Sequence, residues 1–258
     1  MTMGSIMSEF LKLKRSMSWS VVVLLPIIMV VAGSGSTIAV EGEFADGWHT
    51  LWVRSIGFYG MAILPVGIAI LASLVWRVEH KNSNWNALMS RPVPTWQIVV
   101  GKIAAISILA AVMQIVLVAA VIGLGKFVFG LPGMLPTDYL ITSLLIIAAQ
   151  VPVVAFQSAL STFARSFAAP VAIALVLTGA STMALLLKIP GVAVTPYALL
   201  TRTTQTGSAT MLTGQGTSFD VSALTPDVVG LTIGLSAVLA VVVIAGTSII
   251  LNHTDTRT

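Results

Sequence analysis

The chain contains no cysteine. Disulfides and thiolate metal sites are therefore excluded, and the compartment is left open. Charge is nearly as scarce. Asp, Glu, Lys and Arg make up 9% of 258 residues, against roughly 25% in an ordinary soluble domain. So few charges cannot coat a globule in water, so lipid must be much of the solvent. There are three histidines, His49, His80 and His253, and neither H-E-x-x-H nor G-x-S-x-G occurs. The phosphate loop G-x-x-x-x-G-K-[ST] is missing too. Gly101-Lys102 and Gly125-Lys126 both lack the upstream glycine and the following hydroxyl residue. A nucleophile, a ligand cluster and an ATP site are thus all lacking, so the chain is read as a non-enzyme with no cofactor of its own.

What remains is apolar: 57% of residues are hydrophobic and the mean hydropathy is +1.00. Six apolar runs stand out, at 19–40, 55–76, 103–125, 139–163, 167–187 and 228–251. A bilayer core needs about 20 apolar residues per helix. These runs are too long and too continuous for barrel strands. The expected fold is all-α: one polytopic membrane domain over 1–258 with six spanning helices. The first run passes Gly33-Ser34-Gly35-Ser36 and continues through Ile38 and Val40, so it reads as a span rather than a cleaved leader.

Orientation follows from the cations. With the N-terminus inside, cytoplasmic segments hold Lys12, Lys14, Arg15, Arg77, Lys81, Arg91, Lys102, Arg165 and Arg257. Outer segments hold Arg54, Lys126, Lys188 and Arg202, while Glu41, Glu43, Asp46, Asp138, Asp220 and Asp227 also fall outside. This is a positive-inside pattern with both termini cytoplasmic in a cell membrane. In segment 1–18, Ile6, Phe10, Leu13 and Met17 recur at helical spacing beside Lys12, Lys14 and Arg15. That suits an amphipathic helix lying on the inner surface, or a plain basic flank. The loop 188–227 is long, outer and rich in Thr, Gly and Ser. It is either a cap over an outer exit or a passive connector.

No titratable group lies at depth in the six runs, which argues against ion-coupled transport. The buried polar candidates are Gln114, Gln150 and Gln157, which either line a cavity or bond between helices. Gln150 and Gln157 are expected on nearly the same helix face. Pro152 and Pro170 are expected as helix irregularities.

The largest polar interruption is 77–102, RVEHKNSNWNALMSRPVPTWQIVVGK. The second span runs on towards Lys81. Asn82-Ser83-Asn84 offers N-cap chemistry. Trp85, Leu88 and Met89 share one face of a short helix, and Arg91-Pro92 ends it. Thr95 is expected to cap the next helix. An aromatic with two apolar neighbours suits a partner's groove, although Trp85 and Trp96 also suit a headgroup belt.

The segment E-H-K-N-S-N-W-N-A-L-M-S-R-P-V, followed by Gly101-Lys102, resembles the first cytoplasmic loop of type-2 ABC exporter permeases. The resemblance is closest to the branch linked to lantibiotic immunity and peptide export. Glu79, Leu88, Pro92, Val93 and Lys102 fit that pattern, as does Glu9-Phe10-Leu11-Lys12-Leu13-Lys14-Arg15 followed by Trp19. The resemblance implies a coupling helix in this loop and two copies of a separate ATP-binding subunit, which carry the ATP and Mg. It also implies a second permease, identical or homologous, and ATP-driven efflux of an amphipathic cargo such as an antimicrobial peptide, drug or lipid, with antibiotic resistance as the outcome. Trp85, Leu88 and Met89 would be groove contacts and Glu79 and Arg91 orienting charges. Lipid is a further partner and nucleic acid is not. The alternative is a non-transport membrane scaffold or sensor subunit that holds a regulator through the same loop.

Overall fold

The computed structural model describes residues 16–80, 93–207 and 224–254, and among them all regular structure is helical. The expected amphipathic helix before residue 16 and the expected coupling helix lie outside the described residues. Six helices or helix pairs are long and apolar enough to cross a membrane.

Helix α1 is Ser18–Glu41. It runs unbroken past Pro26 and Gly33, and Ser34 and Thr37 return their hydroxyls to the carbonyls of Val30 and Gly33. The second span combines α2 (Trp48–Phe58), a π turn (Tyr59–Ile63) and α3 (Leu64–His80). Pro65 explains the turn: it donates no N–H and crowds the carbonyl four residues back, so the ladder opens one turn upstream. This span starts at Trp48 rather than at residue 55. The stretch from Trp48 to Val53 is buried as helix, and the half-exposed Arg54 side chain pairs with Glu41 at the end of α1.

The third span is α4 (Thr95–Gly123) with a π turn at Leu124–Val128. It begins well before residue 103, which places Lys102 inside the helix. Thr95 is not the cap. Pro94 holds that position with φ −58° and ψ 137° and no side-chain bond, so Thr95 is already in the first turn; the N–H that proline lacks would have had no helical partner at the cap. The fourth span is α5 (Thr137–Ala149) and α6 (Val151–Phe163), broken at Gln150. Pro152 accounts for this break. Pro170, by contrast, causes no irregularity. It sits in the first turn of α7 (Ala168–Leu186), where N–H groups have no helical partner.

The connection after α7 is not a plain loop. It forms a 3-10 turn at Val192–Val194 and then α8 (Pro196–Thr204), whose side chains from Tyr197 to Leu200 are buried. The Thr-rich composition hid this helix, because its polar residues face inward. Helix α9 (Pro226–Thr254) makes the sixth span.

The second and fourth spans are the most enclosed, and the fifth and sixth the least. Helix α3 packs on α6, α7, α4 and α1, while α8 rests on α5, α7 and the first π turn. Gly60 permits that last contact, since a Cβ there would overlap the side chain of Thr204. The exposed faces of α7 and α9 carry Leu175, Val176, Leu231 and Val241. In lipid such faces need no water-excluding partner, and helix association rests on close packing and interhelical hydrogen bonds.

Candidate functional site

The last turns of α3 carry Trp76, Glu79 and His80 at i, i+3, i+4, so they neighbour one another on the helix surface. Lys102 lies early in α4, across the loop. Its Nζ donates to Glu79 Oε1 at 2.9 Å, with the two side chains 1% and 5% exposed. The same ammonium sits 4.9 Å from the centre of the Trp76 ring. On the other side, Trp76 Nε1 donates to Ser158 Oγ of α6 at 2.8 Å. His80 Nε2 donates to the Ser161 carbonyl oxygen at 2.9 Å.

The two roots of the 77–102 loop are therefore tied to each other and to α6. Breaking a buried ion pair by removing one partner costs about 3–5 kcal/mol, because the remaining charge is stranded. A desolvated cation–π contact contributes roughly 2 kcal/mol or more. These contacts thus join α3, α4 and α6 at the two roots.

Of the residues expected to dock a partner, Trp85, Leu88, Met89 and Arg91 lie outside the described residues. Glu79 is described, and its carboxylate points into the bundle rather than outward. Lys102 was recognisable as part of the loop pattern. Trp76 and Ser158 were not singled out. The available signal was the Trp-x-x-Glu spacing before a basic loop that returns to a lysine.

The three glutamines are fully buried but do not form one site. Gln114 Nε2 donates to Ser143 Oγ at 3.2 Å, joining α4 to α5. Gln157 Nε2 donates to the phenol oxygen of Tyr197, joining α6 to α8. Burial pushes the Tyr197 hydroxyl up to about 12, despite the opposing effect of the Gln157 bond, so the phenol stays neutral. Gln150 stands at the helix break, and neither polar atom of its amide finds a partner among the described residues. Gln150 itself keeps right-handed helical dihedrals, φ −75° and ψ −20°, and its carbonyl accepts from Val154 N–H at 2.9 Å, so the helix that carries Gln157 begins directly from it. Two membrane-side hollows adjoin these bonds. One, of about 350 Å³ between α4 and α5, has Gln114 and Ser143 in its wall. The other, of about 360 Å³, lies among α6, α7 and α8 and includes Phe156 and Tyr197.

These features define a multi-pass helical membrane protein whose long polar loop is anchored by a buried ion pair. The family described as ABC-2 family transporter protein matches residues 5–181, more than half of the chain, and the chain belongs to it. The match takes in the anchored loop and the first four spans, and ends within α7. No curated protein and no solved structure matches the chain. Membership makes this a permease-type membrane component and implies association with an ABC ATP-binding subunit.

Proposed function

We propose that the chain is the membrane-spanning half of an ATP-driven exporter and that its 77–102 loop is the point where the ATPase acts. The observation that carries this is the Glu79–Lys102 pair with its Trp76 and Ser158 contacts. It makes the loop a handle on three helices rather than a slack connection. Trp85, Leu88 and Met89 form the contact face for a groove on the ATPase, Arg91 is an orienting charge, and Glu79 orients the loop from its root. Two ATPase copies serve two permeases, identical or homologous. ATP and Mg belong to the ATPase. Closure of the ATPases moves the loops and switches the bundle by rigid-body motion.

The charge pattern supports a loop face turned to the cytoplasm in the plasma membrane, with both termini on that side. The cargo is hydrophobic or amphipathic, with an antimicrobial peptide such as a lantibiotic favoured by the loop's resemblance. The hollows beside Gln114 and Tyr197 are where apolar cargo surface would meet polar anchors. The test is co-expression with a candidate ABC ATPase, sought among the neighbouring genes, followed by co-purification. Wild type should retain it and Trp85→Asp/Leu88→Asp should lose it. Retention by the double variant contradicts the docking assignment.

A further inference from the structure

A third cavity lies apart from the two hollows beside Gln114 and Tyr197. It has a volume of about 370 Å³ and lies on the loop face, between the end of α3 and the turn joining α6 to α7. Ser73, Arg77 and His80 come from α3 at i, i+4, i+7, and so share one helix face. Ser161 comes from α6, and Arg165 and Ser166 from the turn. Ser73 and Ser161 are buried and lie 3.4 Å apart, Oγ to Oγ. The His80 ring is held in the wall by its bond to the Ser161 carbonyl. Among the described residues no carboxylate lines the cavity. Glu79, two residues from Arg77, is turned away to Lys102. Among the described residues neither guanidinium has an acidic partner.

We infer that this cavity binds the phosphate group of an anionic phospholipid. Two guanidiniums and a set of hydroxyls are the donors a phosphate diester takes, and arginine offers them as a planar fork. The cavity lies where spanning helices end, which is headgroup depth. Phe167 lines it with an exposed ring at the start of α7, and further along that helix Leu175 and Val176 are exposed apolar residues. An acyl chain has that surface to lie along, whereas a free phosphate ion gains nothing from it. Basic pockets between spanning helices favour anionic headgroups for this reason. Assignment to the inner leaflet rests on the orientation proposed above. Binding itself does not.

The full-length chain is purified in detergent and its bound lipid is read by native mass spectrometry, with phosphatidylglycerol and phosphatidylcholine of identical acyl chains as probes. Wild type should retain the anionic lipid over the zwitterionic one by roughly tenfold. Arg77→Gln/Arg165→Gln should abolish that preference. Arg202→Gln, an exposed cation beyond the cavity, should leave it intact. Should the double glutamine variant misfold, Arg77→Lys/Arg165→Lys keeps the charge without the fork and should give an intermediate preference. Equal retention of both lipids by wild type overturns the proposal, as does an unchanged preference in both arginine double variants. Inorganic phosphate alone binding in millimolar buffer and displacing the lipid shows a free-anion site and also overturns it. Co-purification of the ATPase, scored in parallel, separates this outcome from the docking reading: loss of either leaves the other standing.

Discussion

Lys102 and Glu79, 23 residues apart in sequence, meet at 2.9 Å in a site almost closed to solvent. They close the two ends of the longest basic loop with one ion pair, and the Trp76 ring lies against the same ammonium. A charge pair in such a place does little for net stability against an apolar replacement, but it strands a charge when one partner is removed. That asymmetry separates its structural role from the coupling role proposed for it.

Glu79→Met or Lys102→Met alone should destabilise the protein by about 3–5 kcal/mol. The combined Glu79→Met/Lys102→Met variant should recover most of that loss. Thermal unfolding followed by fluorescence in detergent gives the comparison. A double variant as unstable as the singles would mean that the pair does not act as a unit.

Removing the hydroxyl of Ser158 leaves the buried Trp76 N–H without its acceptor. Ser158→Ala should cost about 1–3 kcal/mol, and Trp76→Phe combined with it should cost less than the sum of the two changes. A double-mutant cycle on the same unfolding assay reads the coupling. Additive losses would argue against a direct Trp76–Ser158 bond.

Gly60 and Thr204 fit together only because Gly60 lacks a Cβ. Gly60→Val should lift α8 off the first π turn, and Thr204→Gly should partly restore the double variant. Limited proteolysis of the 188–227 region detects the displacement. Wild-type protection of Gly60→Val would contradict the contact.

Gln150 buries an amide with no partner among the described residues. Gln150→Leu should therefore melt at or above wild type, by up to about 1–3 kcal/mol. A clear loss of stability would instead reveal a bond to Gln150 that this packing does not contain.

The spans and the loop were legible because lipid imposes long apolar runs and because charge avoids their centres. Span edges were harder. Trp48 to Val53 carries a histidine and a threonine, and α4 buries Lys102, so hydropathy alone stopped short at both places. Glu79 pairs with the lysine and the Trp76 ring lies against it, contacts from across a loop that no local window contains. Helix α8 was invisible for a related reason. Thr201, Thr203 and Thr204 look like loop chemistry until the fold surrounds them. Gln114 and Gln157 were legible as polar anchors, but their partners Ser143 and Tyr197 sit on other helices. The break at Gln150 followed from Pro152, while Pro170 fell harmlessly in a first turn.

The absence of cysteine makes the coupling role directly measurable. Ala198→Cys would place a single thiol on the buried face of α8, and membrane-impermeant maleimide labelling with the ATPase coexpressed would report its exposure. A loop that drives the bundle predicts labelling that changes with ATP in this background and no longer changes once Trp85→Asp/Leu88→Asp is added. Labelling that still follows ATP in the triple variant would contradict the loop as the point where the ATPase acts.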